Sequence, residues 1–126
     1  MVNLLLVGIG GFLGSVARYV MSGAVQSLAG GTFPYGTLAV NLVGCFGIGG
    51  LSELAETRGF LSAEARALLI IGVLGGFTTF STFGNETMNL VRDAEWPQAA
   101  IYVAAHLVLA LAAVWLGRTT VYLIWR

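Results

Sequence analysis

Gly75-Gly-Phe-Thr-Thr-Phe-Ser-Thr-Phe-Gly-Asn-Glu86, GGFTTFSTFGNE, is the stretch on which the fold of this chain turns. Ile70, Ile71, Val73 and Leu74 lead into it, as they would into any segment that only fills a membrane. Behind a glycine pair, three phenylalanines and four hydroxyl residues then crowd together. Two adjacent glycines followed by Thr78-Thr79 weaken a helical ladder. Such a weakness is tolerated in lipid only where protein or water covers the freed backbone groups. Freed carbonyls can then coordinate a cation, and freed N–H groups an anion. The stretch predicts a third membrane helix that breaks at Gly75-Gly76, with polar and aromatic side chains gathered at the break.

The flanking sequence supports a membrane setting. Of the 126 residues, 57% are hydrophobic and only 10% charged, against about 25% charged in a soluble domain. A spanning helix needs about 20 mostly apolar residues. The chain divides into four such spans, roughly residues 3–21, 36–54, 63–90 and 97–118, in one membrane domain. The expected fold is therefore an all-α integral membrane protein with four transmembrane helices. The apolar runs are too long for strands and lack two-residue alternation, which excludes a β-barrel. Net charge is zero, so no nucleic-acid partner is expected. Cys45 is the single cysteine, has no intrachain partner, and reads as a small packing residue. No basic region precedes the first apolar stretch, so a cleaved signal peptide is not expected.

The connections carry their own signals. Ser22 to Tyr35 holds Gly30-Gly31 and Pro34, which mark a turn. Glu53, Glu56, Arg58, Glu64 and Arg66 make the next connection charged, and Ser62 stands where it would cap the third helix. Arg92, Asp93 and Glu95 close that helix, and Pro97 suits the first turn of the fourth. Trp96, Tyr122 and Trp125 suit the two interfaces. Arg58, Arg66 and the C-terminal arginines fall on one side and Arg92 on the other, a bias small enough to permit insertion either way round. Gly10 with Gly14, and Gly72 with Gly76, form GxxxG pairs that let helix backbones approach closely.

Polar residues inside the spans are the candidate functional groups. Arg18 either marks a water-filled pathway or snorkels to the interface near its helix end. Asn41 lines a pathway or joins two helices by hydrogen bonding. Phe80 and Phe83, three apart, share one helix face. They either pack a core or turn their positive ring edges toward a small anion. Thr79, Ser81 and Thr82 supply hydroxyl donors, or bond to their own preceding turn. Glu86 caps, pairs with an arginine or lines a vestibule. Tyr102, His106, Ala110 and Val114 follow one another at spacing four on the fourth span, hence on one face, with polarity fading along the row. His106 has no surrounding Cys, His or carboxylate cluster, so no metal site is expected there. No nucleophile–base pair or phosphate loop is present, and Gly8-x-Gly10 follows no strand, so neither an enzyme nor a dinucleotide fold is indicated.

These residues have a precedent. Gly10-Gly-Phe-Leu-Gly-Ser-Val-Ala-Arg18-Tyr19, Gly36-Thr-Leu-Ala-Val-Asn41-Leu-Val-Gly44, and Gly75-Gly-Phe-Thr-Thr-Phe-Ser-Thr-Phe83 with Glu86 resemble, in order and at matching spacing, the Fluc (CrcB) family of bacterial fluoride channels. The likeness spans essentially the whole chain, and the TTFSTF core is highly specific. It implies a small four-helix subunit of the bacterial inner membrane that pairs with a second copy as an antiparallel, dual-topology dimer. Each dimer would hold two passive fluoride pathways for export. By motif match Asn41 would line the pore, Phe80 and Phe83 would offer ring edges to fluoride, and Thr79 and Ser81 would belong to the same polar wall. Tyr102 would lie pore-side and Arg18 would shape an electropositive vestibule. Backbone carbonyls of Gly75 and Thr78 from both subunits would hold a central structural Na⁺.

Two departures stand out. Some relatives carry a hydroxyl track on the fourth span, where this chain has Ala110 and Val114, and Gly84 replaces a more usual serine. The track is then dispensable, compensated by His106, or completed by a different, conducting partner, which would make this chain a non-conducting subunit. A proton-coupled small multidrug exporter is the other four-helix reading. It wants a carboxylate inside the first span, where this chain has none.

Overall fold

Four long helical stretches, each apolar enough to cross a membrane, account for most of the chain. The computed structural model describes all 126 residues, Met1–Arg126. Helix α1 is Val2–Ala29 and α2 is Tyr35–Glu56. The third stretch is composite: α3, Ala63–Arg66, runs into a π-helical segment, Ala67–Leu74, then α4, Gly75–Phe77, and α5, Phe80–Arg92. Helix α6, Trp96–Ile124, closes the chain, with Pro97 in its first turn.

Local chemistry sets some of these ends. The Ser62 hydroxyl accepts the Ala65 N–H at 3.2 Å and starts α3, satisfying one of the helix's orphan donors. The connection expected at Ser22–Tyr35 is far shorter, because α1 runs on to Ala29. Gly30 and Gly31, at φ 68° and 72°, take the left-handed side of the backbone map that turns the chain, a backbone that glycine enters without strain. Ala24, Gln26, Leu28 and Ala29 are tolerable helix residues, and nothing before the glycine pair interrupts them.

The break also sits elsewhere than the glycines suggest. Gly75 is helical, at φ −62° and ψ −38°. The chain leaves the helix at Thr78 (φ −79°, ψ 155°) and Thr79 (φ −151°, ψ 115°). Both are extended, a conformation that β-branched threonine favours. Gly76 serves packing instead, as does Gly72 one turn earlier. A Cβ on Gly72 would lie 2.9 Å from the Gly10 Cα, and one on Gly76 would lie 2.6 Å from the Gly11 carbonyl. The two GxxxG pairs thus face each other, α1 against the third stretch, with backbone on backbone.

Helix α2 packs chiefly on α6. Arg118 of α6 ties their ends, at 3.5 Å from Glu53 and 3.0 Å from Glu56. The interior is thin. Only 20 of 126 residues are buried, and the single chain exposes 7511 Å², against about 6,400 Å² for a soluble monomer of this mass. Phe12, Leu28, Ile71, Val108 and Leu111 all face outward, as side chains that meet lipid or another membrane helix do.

Candidate functional site

The extended pair at Thr78-Thr79 must satisfy its backbone groups somewhere. Asn41, opposite on α2, takes both those of Thr79. Its Oδ1 accepts the Thr79 N–H at 2.9 Å, and its Nδ2 donates to the Thr79 carbonyl at 3.0 Å. The carboxamide acts as a piece of missing backbone, clamped on the break, and both residues are buried. Thr79 in turn caps α5: its Oγ1 accepts the Thr82 N–H at 3.2 Å.

These bonds have a consequence for the carbonyls upstream. Thr79 and Thr82 would normally donate to Gly75 and Thr78, four residues earlier. Both N–H groups are diverted, so the Gly75 and Thr78 carbonyls lose their helical donors. The Gly76 carbonyl accepts the Ser15 hydroxyl from α1 at 3.5 Å. Carbonyl oxygens released in this way are cation ligands of the kind that half-helix ends provide. No cluster of His, Cys, Asp or Glu side chains could hold a metal.

The two phenylalanines part company. Phe83 is buried, its ring 5.4 Å from that of Tyr102 and 4.3 Å from the His106 imidazole. Phe80 lies 5.4 Å from Phe83 yet is 81% exposed, so it projects from the subunit. A cavity of about 310 Å³ opens between them, walled by Asn41, Thr79, Phe80, Phe83, His106 and Ala110. Ala110 thus occupies the cavity wall, where a hydroxyl track would begin. Gly84 has open space around it, so a serine there would meet no obstacle.

A second polar chain lies toward the N-terminal end of α2. Glu86 accepts the Thr37 hydroxyl at 2.9 Å on one oxygen and the Tyr102 hydroxyl at 2.5 Å on the other. Thr37 received no role from the sequence, although it sits one turn before Asn41 and on the same face, a spacing that offered the signal. His106, set aside there as a metal ligand, belongs to the site: its Nε2 lies 3.2 Å from Asn41 Nδ2.

Glu86 and Thr37 line a cleft of about 430 Å³ together with Gln26, Asn89, Asp93 and Glu95. Arg18 lines a smaller neighbouring cleft of about 170 Å³ with Ser15, Thr37, Thr79 and Thr82, and makes no ion pair within the chain. The wider cleft therefore presents carboxylates, and the positive charge is confined to the narrower one. Ser81 is exposed at the start of α5, 3.4 Å from the Thr79 hydroxyl.

Residues 5–118 match the profile of the family described as CrcB-like protein, Camphor Resistance (CrcB). The chain belongs to the CrcB family. Among its relatives are three proteins named fluoride-specific ion channel FluC. That of Chlorobaculum tepidum is 54% identical over 93% of this chain and 92% of its own. That of Opitutus terrae is 50% identical over 90% and 87%, and that of Geobacter sulfurreducens is 47% identical over 93% and 94%. The family membership covers all four membrane helices and the whole of the Asn41–Thr79 clamp.

Proposed function

We propose that this CrcB-family chain is a fluoride-selective passive channel of the bacterial inner membrane that exports cytoplasmic fluoride. One observation carries the reading: the clamped break at Thr78-Thr79 opens on a cavity whose walls are the Phe80 and Phe83 rings and whose polar groups are neutral. Ring edges carry partial positive charge, so a small anion can exchange part of its water for them without meeting a buried cation. Thr79 and Ser81 add hydroxyls beside that cavity. Sites of this kind must bind well enough for entry and weakly enough for exit. The relatives' names support the choice of anion.

The second polar chain extends the pathway. Fluoride and carboxylate are both strong acceptors, so an anion reaching Tyr102 or Thr37 takes a hydroxyl that Glu86 otherwise holds. Arg18, unpaired in its cleft, draws anions toward Thr37 and Thr79. The working unit is two copies inserted in opposite orientations. The outward Phe80 ring and the thin interior of one chain support that pairing, since a second copy would enclose them. A central Na⁺ would be held by the Gly75 and Thr78 carbonyls of both copies. It would supply positive charge that joins the two breaks and offsets repulsion between anions.

The deciding experiment is fluoride efflux from liposomes holding the purified protein, followed with a fluoride electrode and with chloride as control. Fluoride release with no chloride release is expected, and no release of either would overturn the reading. Phe83→Ile and Phe80→Ile are each expected to lower fluoride flux by about tenfold or more while the protein elutes unchanged on size exclusion. Undiminished flux in the double variant would remove the rings from the pathway. Tyr102→Phe withdraws one of the two hydroxyls on Glu86 and is expected to slow flux by about tenfold, the value of one charge-assisted hydrogen bond. Flux equal to that of the unmodified protein would place Tyr102 outside the pathway.

A further inference from the structure

His106 is buried on α6, and each of its ring nitrogens has a partner. Nδ1 lies 3.2 Å from the Tyr102 carbonyl, which can only accept, so Nδ1 carries the proton. Nε2 lies 3.2 Å from Asn41 Nδ2, which can only donate, so Nε2 accepts. A carboxamide has two N–H donors. One Asn41 N–H goes to the Thr79 carbonyl, and the other has His106 as its partner. The same imidazole stacks on Phe83 at 4.3 Å, with the rings 38° apart, and meets Tyr102 edge to face at 4.5 Å.

We propose that His106 is a positioning residue of the fluoride pathway, acting through Asn41 as a neutral acceptor that locks the carboxamide onto the Thr79 backbone. The proposal rests on the channel reading above and deepens it. With Nε2 accepting, Asn41 has one satisfied orientation: oxygen toward the Thr79 N–H, nitrogen toward the Thr79 carbonyl and the imidazole. The flipped amide would set oxygen against two acceptors. His106 thereby holds the break, and with it the start of α5 that carries Phe80 and Phe83. Ring stacking is a second contribution of the same side chain, and the two are separable by substitution.

His106→Gln keeps an acceptor near the Nε2 place and loses the ring. His106→Phe keeps a ring against Phe83 and loses the acceptor. In the liposome assay H106Q is expected to retain flux within about threefold, and H106F to lose about tenfold or more and to discriminate less well against chloride, the consequence of one buried donor left unpaired. On an Asn41→Asp background, where the donor to His106 is gone, H106F is expected to add no further loss. Normal flux in H106F, or loss in H106Q alone, would make His106 a packing residue and overturn the proposal. A second measurement does not depend on conduction. His106 is the only histidine, so its imidazole ¹⁵N signals in labelled protein are unambiguous. The neutral ring with the proton on Nδ1 is expected, and a proton on Nε2 would overturn the proposal even in a protein that carries no fluoride. Absent fluoride flux with the expected tautomer would instead fault the channel reading and leave the Asn41 lock standing.

Discussion

Asn41→Leu is expected to cut fluoride flux at least a hundredfold, the largest loss of any single polar substitution in this chain. The change strands the Thr79 N–H, the Thr79 carbonyl and the His106 Nε2 together. Each buried group left without a partner costs about 1–3 kcal/mol. The backbone relieves that cost by continuing the helix through Thr78 and Thr79, which would restore the diverted bonds to Gly75 and Thr78. A straightened third helix turns Phe80 and Phe83 away from the cavity. Asn41→Asp is a graded control: it still accepts from the Thr79 N–H but cannot donate to the Thr79 carbonyl, and should fall between the two. Liposome efflux reads the loss, and thermal unfolding in detergent reports whether the fold survives. Flux within threefold of the unmodified protein in Asn41→Leu would show that the break holds without its clamp.

Gly72→Val is expected to prevent assembly of the native bundle rather than to slow it. The new Cβ would stand 2.9 Å from the Gly10 Cα and 3.0 Å from the Val7 carbonyl, both backbone atoms that cannot rotate aside. The α1 backbone must retreat, and the paired approach of Gly10, Gly11, Gly72 and Gly76 is lost along its length. Overpacking of a tight site costs about 1–3 kcal/mol where side chains can adjust, and here none is available to do so. In membranes, close backbone approach is itself a main source of helix association, since lipid offers little hydrophobic drive. Gly8→Val is the matched control, because nothing lies within 4 Å of a Cβ placed there. Yield of monodisperse protein after extraction measures both. Equal yields would mean that α1 and the third stretch associate by other contacts.

Much of the site was legible because membrane burial penalises polar atoms so heavily. Asn41, Glu86 and the Thr78–Thr82 hydroxyls are conspicuous in a chain where only 10% of residues are charged. The motifs around them match a known family over residues 5–118. The location of the break was legible only approximately. Glycine pairs signal a weak helix in sequence, but Gly76 is needed for contact with α1, and both Gly75 and Gly76 stay helical. Which residue leaves the helix depends on which one finds substitute hydrogen-bond partners, and those come from α2. Thr37 and His106 were harder still, since each is significant only for what stands opposite: a carboxylate on α5 and a carboxamide on α2.

Sequence alone therefore determined the class, four apolar helices in a membrane with polar residues concentrated near the third. Those properties follow from transfer energies summed along a segment and need no knowledge of neighbours. Tertiary structure alone decided that Asn41 serves as surrogate backbone for Thr79, that Phe83 turns inward while Phe80 turns out, and that acidic groups line the wider cleft. Hydrogen bonds and ring contacts are pairwise and short-ranged. Their partners lie 38 and 65 residues apart in the chain and meet only when α2, α5 and α6 pack.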